Sequence, residues 1–252
     1  GDPVNRPWRL IVDRPSPGDW NMAVDQVLLE QAARGGRPAL RLYAWDRPTL
    51  SLGYFQSLDE IPPDARDRWP VVRRATGGGA ILHDQELTYS LAAPADLLDG
   101  PMLYDLANRA IVAAVADLGG TVEVRGEQRG ERAQRGPFFC FARAGSTDII
   151  ARSLKLAGSA QRRADGGVLQ HGSIMLDDNR QEATLGLAQL LGRPVTFDEL
   201  ARPLAERFAA TLDVVFERSE LSDEERRDAE RIRRERFADP EWLARGRRKG
   251  GT

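Results

Sequence analysis

Apolar and polar positions alternate over residues 8–12, the pattern of a half-buried strand. The period then changes. Over residues 22–30 the apolar side chains recur at helical spacing, with Asp19 or Asn21 placed to cap a helix and Gly35-Gly36 placed to end it. Residues 40–44 and 49–52 read as strands joined by a turn at Asp46-Arg47-Pro48. Further strands are predicted at 70–74, 80–83 and 87–92, followed by a helix at 101–118 that Gly119-Gly120 terminates. Residues 122–124, 138–142, 148–150, 154–157 and 168–174 read as short strands, and the polar, unpatterned segment 125–137 as a loop. Beyond Leu176 helical spacing dominates, at 181–191, 197–211 and 222–236, and the Glu- and Arg-rich composition from Glu217 predicts an exposed helical tail. No internal repeat is present. Strands mixed with segregated helices predict an α+β fold, with mixed or antiparallel sheets packed against helices, rather than a doubly wound one.

Composition narrows the function classes. A chain of 252 residues, 41% hydrophobic and 29% charged, has the balance of one large globular domain. Its formal net charge of -2 argues against a general nucleic-acid binder. No apolar run approaches a membrane span. The one cysteine, Cys140, cannot form an intramolecular disulfide, which fits a reducing, cytoplasmic setting. Two histidines and one cysteine, without CxxC or HExxH spacing, predict no metal site. Basic residues nevertheless cluster locally, at Arg125, Arg129, Arg132, Arg135 and Arg143 and at Arg162-Arg163, where an acidic partner could bind.

The most unusual stretch is VRRATGGGAILH, residues 72–83. A Walker loop would need Lys-Ser or Lys-Thr after its last glycine, and Ala80-Ile81 stands there. The dinucleotide fingerprint would need a third glycine where Leu82 sits. Two readings survive. In one, Gly77, Gly78 and Gly79 let backbone approach a ligand closely while Arg73 and Arg74 meet a phosphate, carboxylate or acidic partner. In the other, the stretch is a glycine hairpin turn with two surface arginines.

Two more stretches carry chemistry: KLAGSAQRR, residues 155–163, and LQHGS, residues 169–173. Lys155 lies within a strand pattern, facing either water or a pocket, where its charge would hold a carbonyl or phosphate oxygen. Cys140 lies in the apolar run FFCF. It is either an inert core thiol or a nucleophile, and reactivity would require a neighbouring cation or base such as Lys155, His83 or His171. No GxSxG serine elbow is present.

Together these stretches resemble the family of lipoate-protein ligase A and the cysteine-dependent octanoyltransferases. The resemblance runs from Trp8 to Trp242, through Asn21-Met22-Ala23-Val24-Asp25, residues 48–56, the 73–83 glycine stretch, Leu87-Thr88-Tyr89-Ser90, Lys155 with Gly158-Ser159-Ala160-Gln161, and Gln170-His171-Gly172-Ser173. It implies a catalytic domain shared with biotin-protein ligase, akin to class II aminoacyl-tRNA synthetases, spanning residues 1–215. Residues 216–252 would form a charged helical tail, too short for a full accessory domain. The chain looks most like the octanoyltransferase branch. There the donor is octanoyl-acyl carrier protein, and the acceptor is a lysine of a lipoyl domain or of the glycine-cleavage H protein, in lipoate biosynthesis. The resemblance makes Cys140 the nucleophile and Lys155 its partner. Arg73, Arg74, Thr76, Gly77, Gly78, Gly79, His83, Gly158, Ser159, Ala160, His171 and Gly172 would surround the substrate, with neither metal nor cofactor and with the protein a monomer. In one respect the chain departs from that branch: Gly79 stands where octanoyltransferases usually have Arg, as in the ligases, which use ATP and Mg. The alternatives are an ATP-dependent lipoate-protein ligase, an amidotransferase that moves octanoyl or lipoyl groups between proteins, and a non-catalytic binding relative.

Overall fold

The computed structural model describes residues 7–98, 100–126, 146–178 and 183–245. Cys140, the strand expected around it, and four of the five clustered arginines from 125 to 143 lie outside the described residues. Among those described, the larger sheet has eight strands in the order β11-β1-β2-β6-β10-β9-β8-β7. They are β1 (Trp8–Val12), β2 (Ala39–Tyr43), β6 (Glu86–Pro94), β7 (Glu123–Val124), β8 (Ile149–Ala151), β9 (Leu154–Ala164), β10 (Gly167–Met175) and β11 (Phe216–Arg218). β1 runs parallel to both β2 and β11, and the remaining pairings are antiparallel. A second sheet of three strands, β3 (Thr49–Leu52), β4 (Val71–Arg73) and β5 (Ile81–His83), has β3 in its centre. The fold is therefore α+β.

The two-residue period sorts β2 and β6 onto two cores. Leu40 and Leu42, with Leu87, Tyr89 and Leu91, face α3 (Gly100–Asp117) and α5 (Phe197–Leu212). Ala39, Tyr43 and Ala92 face α1 (Gly18–Ala33) and α6 (Asp223–Ile232). Burial on both faces explains why β2 and β6 carry apolar side chains on each face, with the polar ones among them, such as Arg41 and Ser90, buried and hydrogen-bonded. A third, smaller cluster of Leu50, Leu52, Ile61, Ala65 and Ala80 lies under the small sheet, beside α2 (Pro63–Arg68).

Several expectations are corrected. β2 and β3 follow one another across the bend at Asp46-Arg47 but do not pair; they belong to different sheets. Neither Asp19 nor Asn21 caps α1, which starts after Pro17 without a side-chain cap. Asn21 is instead buried inside the helix, where its side chain accepts from Arg41. β9 runs on through Gly158 and Ser159 to Ala164, because β10 pairs with it from Ala157 to Ala164 and supplies the hydrogen bonds that local propensity lacks. The hairpin turn between them holds Asp165 at φ 53° and Gly166 at φ 90°, the left-handed pair a tight two-residue turn requires. The charged segment from Glu217 is no exposed tail. β11 joins the sheet beside β1, while Ala229, Ile232, Phe237 and Trp242 enter the core under α1. Its charge belongs to the outer face of α6, where Arg231 meets Asp228 and Arg233 meets Glu230.

Arg73 closes this arrangement. Its fully buried guanidinium donates to the carbonyls of Gly53, Tyr54 and Gln56 and to those of Trp242 and Leu243 in α7 (Pro240–Ala244). The Trp242 indole N–H donates back to the Arg73 carbonyl at 3.1 Å. Burial pulls the Arg73 pKa below its usual value. Arg73→Met is expected to leave buried carbonyls unpaired and to lower the unfolding free energy by on the order of 3 kcal/mol, measured by urea denaturation.

Candidate functional site

A pocket opens where the small sheet meets β9 and β10. One wall is the loop from β4 to β5, in which Gly77 and Gly78 line the cavity. Gly78 takes φ 96°, a left-handed conformation that glycine adopts without strain. A Cβ on Gly77 would meet nothing within 4 Å, whereas one on Gly53 would lie 1.9 Å from the Gly78 carbonyl oxygen. The two backbones thus touch behind the wall, and the cavity is open in front of it. Arg74 staples the loop from inside, donating to the Gly77 and Gly79 carbonyls at 3.0 and 2.9 Å and to the Ser51 hydroxyl at 2.7 Å.

The opposite wall is formed by β9, β10 and the residue before β8. Lys155 Nζ lies 3.0 Å from Asp148 Oδ1, with both side chains 7% exposed. The Lys155 main chain is fixed on both sides, its N–H to the Ala183 carbonyl and its carbonyl to the Leu185 N–H. Gly158 is what allows the pair to form: a Cβ there would lie 2.7 and 2.8 Å from Lys155 Cε and Nζ. Gly172 plays the same part for the next pair of side chains, since its Cβ would meet Ser159 Oγ and Tyr89 Cε1 at 2.6 Å. Those two are joined by a hydrogen bond of 2.7 Å between the Tyr89 and Ser159 hydroxyls, and Gln170 donates to the Tyr89 oxygen. Burial pushes the Tyr89 phenol up to about 12, so it is neutral at physiological pH.

Beneath the walls lie two buried polar hubs. Asp25 accepts from Arg41, Tyr43 and Ser90, and His171 Nδ1 stands 3.6 Å from it. Burial would raise the Asp25 pKa, but the adjacent His171 ring and Arg41 guanidinium outweigh it and hold the carboxyl below its usual range. His171 Nε2 is 2.6 Å from the Thr76 hydroxyl, which ties this hub to the glycine loop. In the second hub, His83 Nε2 is 2.7 Å from Ser51 Oγ and Nδ1 is 2.8 Å from Glu86 Oε1. The Trp45 ring stacks on His83 at 3.9 Å. Burial lowers the His83 pKa, more than the neighbouring Glu86 carboxylate raises it. Met22, Tyr43, Trp45 and Ile81 give the pocket an apolar side.

The structure thus brings together Arg74, Gly77, Gly78, His83, Lys155, Gly158, Ser159, Ala160, His171 and Gly172, all at the pocket. Thr76 and Gly79 stand behind its lining and act through His171 and Arg74. Arg73 faces the C-terminal turn rather than the pocket, because its donors are taken up by main-chain carbonyls. Sequence reasoning missed Asp148, Asp25, Trp45 and Glu86 as site residues. An Asp inside an apolar helical pattern, at 25, was the one available signal of a buried charge hub.

Comparison with known proteins agrees with this architecture. Residues 17–209 match the lipoyl protein ligase A/B catalytic domain. The chain belongs to that family. It is 34% identical to the protein named octanoyltransferase LipM of Symbiobacterium thermophilum, over 93% of this chain and 97% of that one. It is 35% identical to the protein of the same name from Moorella thermoacetica, over 94% and 98%. Among solved structures, lipoate-protein ligase A bound with ATP superposes with a TM-score of 0.82 at 22% identity, covering 95% of this chain and 99% of that one. A lipoate protein ligase from T. acidophilum with bound lipoic acid gives a TM-score of 0.81 at 23% identity, covering 95% and 100%. At such identities these structures establish the fold alone.

Two outcomes follow from the geometry. Lys155 is one of two lysines in the chain, the other being Lys249. Gly158→Ala is expected to push the Lys155 ammonium off Asp148 and raise its labelling by an amine-selective reagent several-fold, read by peptide mass mapping; unchanged labelling would contradict the close approach. The lowered His83 pKa means that the folded state binds its proton less tightly than the unfolded chain, whose histidines titrate near about 6.5. His83 therefore contributes stability above that pH, and the contribution declines as pH falls below it, by at most about 1.4 kcal/mol per unit. The difference in urea midpoint between wild type and His83→Gln should narrow from pH 7 to pH 5.

Proposed function

We propose that this protein is an octanoyltransferase that moves an octanoyl group from octanoyl-acyl carrier protein to a lysine of a lipoyl-domain or glycine-cleavage H acceptor through a Cys140 thioester. The observation that carries the reading is the buried Lys155–Asp148 pair, set into a partly apolar pocket opposite a wall of bare glycine backbone. The similarity to proteins named octanoyltransferase extends along nearly the whole chain and supplies the acyl group.

In the first half-reaction the Cys140 thiolate attacks the thioester carbonyl, a new C–S bond forms, and the carrier's thiolate leaves. In the second, the neutral amine of the acceptor lysine attacks the acyl-enzyme, an amide forms, and Cys140 leaves as thiolate while the amine loses its proton. Exchange between thioesters is close to neutral and thioester to amide is downhill, so neither step needs a nucleotide. Lys155 supplies positive charge where the carbonyl oxygen becomes negative, in a site where burial strengthens it. Asp148 positions that ammonium, and Gly158 gives it room. The glycine wall lets the acyl group come against backbone, and Met22, Trp45 and Ile81 would contact its hydrocarbon. His83 and His171 hold Ser51 and Thr76 in place, and so shape the wall rather than carry the acyl group.

Intact-mass spectrometry after mixing with octanoyl-acyl carrier protein, without ATP, tests this directly. The expected result is a gain of one octanoyl group, absent in Cys140→Ser and discharged by a lipoyl domain. In Lys155→Met acylation should be slower by about 100-fold or more. No adduct, with acceptor modification only on addition of ATP and free octanoate or lipoate, would make the protein a ligase and return Cys140 to an inert role. Transfer only from an already modified H protein would make it an amidotransferase.

A further inference from the structure

The glycine wall has an outer side. Gly53, packed against Gly78, is followed by Tyr54 and Phe55, which are 37% and 68% exposed. Their rings meet edge to face at 4.9 Å. This is not a loose loop. The Tyr54 N–H donates to the Thr76 carbonyl, its carbonyl accepts from Arg73, and its ring lies 5.8 Å from that of Trp242. Two aromatic rings are thus exposed to water on the outer side of the glycine wall, Tyr54 held in place and Phe55 packed on it, the kind of surface that marks a contact with another molecule.

One guanidinium stands beside the Tyr54 ring and two beside the Trp242 ring that Tyr54 packs against. Arg162 lies 5.9 Å from the Tyr54 ring, and Arg236 and Arg245 lie 5.3 and 5.9 Å from the Trp242 ring. Among the described residues none of these three is paired with a carboxylate. On the neighbouring helix α6 and its continuation four arginines are paired, Arg226 with Glu220, Arg231 with Asp228, Arg233 with Asp19 and Arg234 with Glu230, whereas Arg227 and Arg236 have no carboxylate partner among the described residues. In the following turn the Glu60 carboxylate is folded back onto the Ser57 N–H, and Asp59 is exposed beside it. In a chain of net charge -2, these three guanidiniums without a carboxylate ion pair place positive charge beside the exposed Tyr54 and Phe55.

We propose that this rim is the docking surface for the acyl donor, an acidic carrier protein that presents its thioester on a phosphopantetheine arm. The proposal rests on the octanoyl-transfer reading above and assigns a place to its first half-reaction. Phe55 is the aromatic anchor, and Arg162, Arg236 and Arg245 attract and orient the acidic surface around it. The position suits the chemistry: Gly53 separates the patch from Gly78, so an arm starting at the patch enters over the glycine wall. Arg73 and Arg74, which the sequence suggested for this task, are fully buried on main-chain carbonyls and leave it to the outer three, of which Arg162 is itself held by the Ala75 carbonyl at 2.9 Å.

The test compares two donors on the full-length protein: octanoyl-acyl carrier protein and the small neutral thioester S-octanoyl-N-acetylcysteamine. The variant is Phe55→Ser with Arg236→Glu and Arg245→Glu, which leaves every pocket side chain in place. Expected is a loss of about tenfold or more in the rate of enzyme acylation by the carrier at low ionic strength, shrinking at about 0.5 M salt. The rate with the neutral thioester should be unchanged, which also shows that the variant is folded. Equal rates of wild type and variant with the carrier donor overturn the proposal. So does a loss confined to discharge onto the acceptor, which would give this face to the acceptor domain. A wild type that neither donor acylates overturns the octanoyl-transfer reading itself, and this proposal with it.

Discussion

A single buried carboxylate ties the layers of this molecule together. Asp25 projects from α1 into the sheet and is met by Arg41 and Tyr43 from β2, Ser90 from β6 and His171 from β10. An uncompensated charge at this depth would cost several kcal/mol, so the helix and the strands can only pack in the arrangement that satisfies it. Arg41 is itself fully buried and also holds Asp13 and Asn21. The network therefore specifies the register of helix on sheet more than it adds net stability. Through His171 and Thr76 the same network reaches the glycine loop, so the scaffold and the pocket wall share one set of hydrogen bonds.

The loop itself illustrates how bare backbone is made rigid. Glycine gives close approach at the cost of conformational entropy. Two adjacent arginines restrain it, one on each side. Arg74 gathers the carbonyls of Gly77 and Gly79, and Arg73 gathers those of Gly53, Tyr54 and Gln56 behind them. The result is a wall with no side chains on its inner surface and almost no freedom in its outer support. A ligand meeting such a wall has little ordering left to do.

Much of this was legible in the sequence, and the boundary is physical. The periods of two and 3.6 located α1, α3, α5 and most strands because local pattern decides them. The glycine stretch and the Lys155 and His171 segments were recognisable as site elements because their residue types are unusual at that spacing. What stayed hidden was long-range. That β2 and β3 part into different sheets depends on which strands arrive later to pair with them. Two of the five carbonyl partners of Arg73 lie some 170 positions away, and nothing in the adjacent sequence distinguishes a buried guanidinium from a surface one. Asp148 becomes a site residue only because β8 and β9 fold back beside Gly158. The charged C-terminal segment read as exposed because its few apolar residues, Ala229, Ile232, Phe237 and Trp242, are outnumbered by arginine and glutamate on the other face.

The grip of Arg73 on Trp242 and Leu243 also sets an order of events during synthesis. The chain leaves the ribosome from its N-terminus, so the glycine loop is translated long before the turn that supports it. Until residues 240–244 emerge, Arg73 has three of its five carbonyl partners and the Tyr54 ring lacks Trp242. The pocket is therefore among the last parts of the molecule to be completed, and a nascent chain can have most of its sheet before it has a finished pocket wall.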